Sequence, residues 1–119
     1  MQWNIDKNRP ICPQISEQLC LMIAGGKFAS HGRIPSVREI AVSAGVNPNT
    51  VQRSLEELER SGILYSVRGS GWFVGKDIAQ AKQVLSDILA KKTADYFAEM
   101  TVLGLDAAAV KEYVKEWKV

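Results

Sequence analysis

The chain has few of the residues on which disulfide scaffolds and metal sites depend. Its 119 residues include only two cysteines and one histidine. Two cysteines are too few for a disulfide framework. Cys12 and Cys20 would also lie about two helical turns apart, too far to form a bridge, so we expect free thiols in a reducing cytoplasm. Since His31 has no companion ligands, we predict neither a metal nor another cofactor.

Long apolar runs and a strong net charge are missing as well. No apolar stretch approaches the roughly 20 residues that a membrane helix needs, and no signal peptide is recognisable, so we expect no membrane partner. The formal net charge is only +2, from 15 Lys and Arg against 13 Asp and Glu. No basic tail therefore indicates a nucleic-acid partner, although basic residues gathered on one face can still bind DNA.

Residues 34–74 carry the strongest local pattern: a helix, a tight turn, a second helix and a hairpin. Ser36 and Glu39 form a capping box ahead of an apolar stripe, and Gly45 supplies the stop. Asn47 suits the N-cap of the following helix, which begins with proline. Two helices joined by so short a turn must cross steeply, as they do in a helix-turn-helix.

A hairpin follows, because β-prone residues 63–67 and 72–74 bracket a glycine-rich turn. A helix-turn-helix followed directly by a hairpin is a winged helix. Apolar residues at helical spacing predict a buried stripe on a first helix over about residues 13–24 and another on the helix after Asn47: Ile15, Leu19, Met22 and Ile23, then Val51, Leu55 and Leu58. With that first helix, we predict that residues 1–75 form a winged helix-turn-helix DNA-binding domain. The fold class is mainly α with a small β-hairpin wing. Residues 1–10 are interpreted as an extended arm. Its cations Lys7 and Arg9 could touch DNA or the partner subunit, but a packed lead-in with solvated charges is the simpler interpretation.

The composition after the hairpin is typical of helices, without proline or glycine as far as residue 103. The pattern predicts a long helix over residues 77–103 and a short one over residues 107–117. Their apolar faces cannot both be buried against each other, and aromatic residues are enriched at subunit interfaces. We predict that residues 76–119 are a helical dimerisation region, although the pair could fold back on its own chain. The predicted interface residues are apolar or aromatic: Leu85, Leu89, Tyr96, Phe97, Met100, Tyr113 and Trp117.

Exposed polar residues at the start of the third helix are the candidates for base contact. A recognition helix reads base edges with its N-terminal residues, and three glutamates in the second half of this helix would repel phosphate. We predict readout by Asn49, Thr50 and Arg53, with Arg53 on guanine and Asn49 on adenine. Ser36 and Thr50 are predicted to offer hydroxyl groups to phosphates.

Several short motifs occur in order between residues 23 and 74. They are Gly26-Lys27-Phe28, Gly32-Arg33-Ile34-Pro35-Ser36-Val37-Arg38-Glu39-Ile40-Ala41, Gly45-Val46-Asn47, Thr50-Val51-Gln52-Arg53-Ser54-Leu55, Gly62-Ile63-Leu64 and Arg68-Gly69-Ser70-Gly71-Trp72-Phe73-Val74. Together they resemble the DNA-binding domain of GntR-type bacterial transcription regulators. The chain departs from that pattern where Asn47-Pro48-Asn49 replaces the usual Ser-Arg-Thr, and where Trp72 replaces Thr. The short tail, residues 76–119, is similar to that of the YtrA branch, in which two helices serve for dimerisation.

The resemblance implies a sequence-specific transcription regulator, a repressor by the usual outcome in the family, that binds a palindromic operator in double-stranded DNA as a homodimer. Arg38 matches a residue that the family places on DNA, where it could grip a phosphate or a guanine edge. The alternative is that Arg38 forms a salt bridge with Glu39 or is simply solvated. Arg68, Gly69 and Ser70 in the wing are predicted to approach the minor groove, where glycine permits close backbone contact.

Two other classes of function were weighed. An enzyme is not expected, because the chain has no Gly-x-Ser-x-Gly motif, no phosphate loop and no paired metal motif. A winged-helix protein-interaction module without specific DNA binding is the alternative, since the fold also occurs as a scaffold. An unidentified small-molecule effector could also bind, but no motif indicates what it is.

Overall fold

The computed structural model describes residues 1–119 and contains five α-helices and one two-stranded sheet. The elements in chain order are α1 (Ile11–Ala24), α2 (Val37–Ala44), α3 (Pro48–Arg60), β1 (Leu64–Val67), β2 (Gly71–Val74), α4 (Ala79–Val102) and α5 (Ala107–Glu116). This order confirms the predicted class, mainly α with a β-hairpin wing. No helix combines the length and the apolar character required to cross a membrane. The chain divides into two compact units, Met1–Leu85 and Ser86–Val119.

The first unit holds the hydrophobic core, in which α3 packs against α1, α2 and β1. The apolar stripes predicted for α1 and α3 are confirmed, since every member is buried: Ile15, Leu19, Met22, Ile23, Val51, Leu55 and Leu58. Ala81 is also buried in this core, and Val84 packs against it. The first unit therefore extends to Leu85 and includes the first turns of α4, whereas the composition changes at residue 75.

Side-chain caps fix the two helices of the helix-turn-helix. The predicted capping box is confirmed: Ser36 Oγ accepts from the Glu39 N–H at 3.1 Å, and Glu39 Oε1 accepts from the Ser36 N–H at 3.2 Å. Gly45 ends α2 in the left-handed conformation, with φ of 69°. Asn47 then caps α3 by accepting from the Asn49 N–H at 2.8 Å. The first helix, α1, begins at Ile11, two residues before the predicted start.

The hairpin is confirmed, with Tyr65 opposite Phe73 and these two rings stacked at 5.5 Å between centroids. Its second strand also pairs with the segment that leads into α2. The Ile34 N–H donates to the Trp72 carbonyl at 3.0 Å, and the Val74 N–H donates to the Gly32 carbonyl at 2.9 Å. The wing is thus hydrogen-bonded to the start of the helix-turn-helix, a long-range pairing that no local pattern indicated.

The second unit contains the end of α4 and all of α5. Asp106 caps α5 by accepting from the Ala109 N–H at 2.9 Å. The predicted bounds of both helices differ from the observed ones by one or two residues at three ends. Val110 is the one buried residue of this unit. Its remaining apolar side chains are half-buried or exposed, so the unit has almost no core of its own.

Candidate nucleic-acid interface

The first two turns of α3 present the predicted base-reading residues. Asn49 and Arg53 are exposed and, being four residues apart, share one face of the helix, whereas Thr50 is half-buried beside them. The opposite face is anchored, because Val51 and Ser54 are fully buried. Ser54 Oγ lies 2.9 Å from the Cys12 carbonyl, to which it can donate. The exposed face is therefore carried on a helix that is fixed against α1.

The carboxylates in the second half of α3 are engaged within the domain. Glu59 Oε2 accepts from the hydroxyl and the N–H of Ser66, at 2.7 and 3.2 Å, and so ties α3 to β1 of the wing. Glu57 Oε2 accepts from the Ser16 hydroxyl at 3.3 Å. The third carboxylate, Glu56, accepts from Gln52 Nε2 at 3.0 Å. Since these contacts engage the acidic side chains, the side chains of Asn49 and Arg53 are left without a partner at the start of α3.

Arg38 lies in the first turn of α2, exposed and without a hydrogen bond or ion pair. The alternative of a salt bridge between Arg38 and Glu39 is not realised, since the Glu39 carboxylate is in the capping box. Ser36 is half-buried and uses its oxygen as the acceptor of that box. The Ser36 hydroxyl hydrogen is given to no protein acceptor, so it stays available to a ligand.

The wing turn carries the remaining predicted contacts. Arg68, Gly69 and Ser70 are all exposed, and Gly69 has φ of 81°, which favours glycine. The Ser70 N–H closes the turn by donating to the Val67 carbonyl at 2.9 Å. Arg68 forms no ion pair. The turn therefore offers one free guanidinium and a backbone that a partner can approach closely.

Arg33 is a basic residue at this surface to which the sequence analysis gave no role. Its guanidinium lies over Gly71, where an added Cβ would be 3.3 Å from Arg33 Nε. The cause is the bridge between Arg33 and Phe73, which sets the segment before α2 beside β2. The only sequence signal for this residue is its place directly before Ile34-Pro35-Ser36 in the motif.

The predicted site residues of the first unit thus lie on three elements joined by hydrogen bonds: the start of α2, the start of α3 and the wing turn. Whether each of them contacts DNA stays a prediction. No group of three or more His, Cys, Asp or Glu side chains is placed to hold a metal ion.

The predicted interface residues of the tail lie on α4 and α5. Leu89, Tyr113 and Trp117 are exposed by 57, 57 and 60%. Tyr96, Phe97 and Met100 are half-buried, and so is Leu85, which is the last residue of the first unit. The ring of Tyr113, on α5, and the ring of Trp117, directly after α5, lie 5.9 Å apart and form one aromatic surface. Their role in dimerisation stays a prediction.

Comparison with known proteins adds the family context. Residues 13–74 match the family model described as "Bacterial regulatory proteins, gntR family". The chain is 34% identical over 116 residues to the uncharacterized HTH-type transcriptional regulator YhcF of Bacillus subtilis, covering 97% of this chain and 95% of that protein. It is 30% identical over 111 residues to the HTH-type transcriptional repressor YtrA of Bacillus subtilis, covering 90 and 83%. A GntR family transcriptional regulator structure from Listeria monocytogenes superposes with a TM-score of 0.77 and 33% identity, covering 96% of this chain and all of that one.

Proposed function

Since this chain belongs to the gntR family of bacterial regulatory proteins, we propose that it represses transcription by binding an inverted-repeat operator as a homodimer. Membership makes it a DNA-binding transcription regulator, and YtrA-type proteins are among its relatives. Repression is proposed because the related YtrA is named a transcriptional repressor. We further propose that it works without catalysis, in the cytoplasm.

The observation that carries the proposal is a set of three exposed arginines without intramolecular partners: Arg38, Arg53 and Arg68. A guanidinium that no carboxylate occupies can give two parallel hydrogen bonds to a guanine edge or to a phosphate. These three stand on α2, α3 and the wing turn, the elements that a winged helix applies to DNA. A surface built to dock a protein would instead carry apolar anchors at its centre.

The mode of binding follows from the helix geometry. The first turns of α3 would enter the major groove, with Arg53 on guanine, Asn49 on adenine and Thr50 beside them. Arg38 would contact the backbone or a guanine edge, and the Ser36 hydroxyl would donate to a phosphate. The wing turn at Arg68, Gly69 and Ser70 would lie at the minor groove.

The tail supports the homodimer, since its exposed apolar residues have no cover within the second unit. Besides Leu89, Tyr113 and Trp117, the exposed set includes Val102, Leu103 and Val114. So many exposed apolar side chains in one small unit indicate an interaction site, since a unit of this size needs a partner to bury them. A two-fold dimer would place two recognition helices on half-sites about one helical turn apart, or a multiple of it. The operator would then be an inverted repeat.

Selection of bound duplexes from a random pool tests the proposal with the full chain. We expect an enriched inverted repeat whose binding weakens steeply as salt rises, because phosphate contacts release counterions. The double variant Arg38→Ala with Arg53→Ala should enrich no motif. A winged-helix module that docks only proteins would give no motif with the unmodified chain either, and that outcome would sink the proposal.

A further inference from the structure

The N-terminal arm, residues 1–9, is held along α1 by two glutamines one turn apart. Gln18 accepts from the Asn4 N–H at 2.9 Å and donates to the Asn4 carbonyl at 2.7 Å. Gln14 accepts from the Asp6 N–H at 2.7 Å and donates to the Asp6 carbonyl at 2.9 Å. Each glutamine amide thus forms with one arm residue the pair of hydrogen bonds that a neighbouring β-strand would form. The backbone on both sides of the arm's centre is therefore fixed to the helix.

The arm also reaches α2. The Trp3 indole N–H donates to Ser43 Oγ at 3.1 Å, and the Trp3 ring packs against the core. Anchored to α1 and α2 at once, the arm runs toward the start of α1 with its position set by the fold. The charged residues of the arm consequently have defined positions on the domain.

The Lys7 side chain lies at the turn of the helix-turn-helix. Its ammonium lies over Gly45, where an added Cβ would be 3.8 Å from Lys7 Nζ. Together with Val46, Asn47 and Thr50 it lines a shallow cleft beside the first turn of α3. Lys7 is exposed and forms no hydrogen bond or ion pair. The other arm cation differs, because Arg9 Nε is paired with Asp6 Oδ2 at 3.1 Å.

The backbone at the start of α3 has few free N–H groups that could donate a hydrogen bond to an anion. Pro48 has no N–H, and the Asn49 N–H is taken by the Asn47 side chain at 2.8 Å. The Thr50 N–H is taken by the Asn47 carbonyl at 3.0 Å. The first three residues of α3 therefore offer a phosphate no free backbone N–H of the kind that many helix starts offer. The unpaired cation beside it is Lys7.

We propose that Lys7 binds a backbone phosphate of DNA next to the point where α3 enters the major groove. The inference rests on the proposed function, because it takes DNA to be the ligand of this face. Lys7 supplies charge and fixes the position of the domain, whereas the residues of α3 select the bases. The arm is thus part of the DNA-binding surface and more than a packed lead-in.

The test compares full-length Lys7→Ala with the unmodified protein on the selected operator and on a random-sequence duplex over a series of salt concentrations. We expect Lys7→Ala to weaken binding to both duplexes several-fold and by similar factors. The slope of log K against log salt should fall by about 0.9 for each subunit on the DNA, since one phosphate contact is lost per subunit. Lys7→Arg should retain the unmodified slope.

Lys27→Ala is the matched control, because it removes the same charge from an exposed lysine that follows the C-terminal end of α1, whereas Lys7 precedes the N-terminal end of this helix, which is roughly 20 Å long. Its salt slope should equal that of the unmodified protein. An unchanged salt slope for Lys7→Ala would overturn the inference. If the melting temperature fell while the slope stayed unchanged, Lys7 would instead stabilise the C-terminal end of α2, and the inference would again be wrong. If the unmodified chain bound no duplex at all, the proposed function itself would fail.

Discussion

Arg53 is the single side chain on which base selection is expected to depend most. Arg53 is exposed on α3, and Ser54 next to it is fully buried. Packing therefore holds the backbone at this position, while the Arg53 guanidinium is free to contact a ligand. We predict that Arg53→Ala weakens operator binding by ~1–3 kcal/mol and relaxes selectivity at one base position. Titration of single-base operator variants measures this. Arg60→Ala, from the last turn of α3, is the control and should change neither quantity.

If Arg53→Ala instead weakened binding to every duplex by the same factor, Arg53 would be a phosphate contact. That result would move base selection to Asn49 and Thr50, the other two residues predicted to read bases.

Cys20 is predicted to be chemically inert in the folded protein. Burial raises the pKa of its thiol to about 11, and the nearby charge of Glu17 acts in the same direction. Because the raised pKa keeps the thiol protonated at neutral pH, the reactive thiolate is scarce. In a Cys12→Ser variant, a thiol reagent should label Cys20 slowly when the protein is native and rapidly in denaturant. Equal rates in the two conditions would contradict the prediction.

Gly45 lies in the turn that joins α2 to α3. Its φ of 69° lies in the left-handed region, and only the Lys7 ammonium lies near the place of a Cβ. Gly45→Ala should therefore cost ~1–2 kcal/mol of unfolding free energy, from backbone strain rather than from a clash. Urea denaturation measures this loss. Gly45→Asn should cost less, because asparagine tolerates this conformation, and a larger loss for Asn than for Ala would refute the strain argument.

The ends of these elements were predictable because each is decided by neighbours in the chain. The capping box at Ser36, the stop at Gly45 and the cap at Asn47 all depend on groups within four residues. The bridge between Arg33 and Phe73 was not predictable, because its partners are forty residues apart and meet only when the wing folds back. For the same reason, no role for Arg33 could be predicted from the sequence.

At the scale of the whole molecule, the tail is expected to decide the oligomeric state. We predict that Tyr113→Glu combined with Trp117→Glu yields a monomer with much weaker operator affinity, because charge on the aromatic surface of α5 opposes its burial. Sedimentation of the full chain measures the change. Val42→Glu is the control, since Val42 is 79% exposed on α2 in the first unit, and it should leave the dimer intact.

Deletion of the tail should also give a monomer, but the cut is better placed after Leu85 than after residue 75. Ala81 is fully buried in the core of the first unit, so a chain ending at residue 75 would lose stability as well as the tail. A dimer that survives deletion of residues 86–119 would show that the first unit associates by itself.

The sequence by itself determined the order of the elements, the buried stripes of α1 and α3, and the candidate residues at the start of α3. These follow from periodicity and capping, which act over a few residues. Only the tertiary structure decided that Ala81 completes the first core, that Glu59 ties α3 to the wing, and that Lys7 reaches the turn at Gly45. Each of these depends on a contact between segments distant in the chain, whose approach is set by packing and hydrogen bonding across the fold.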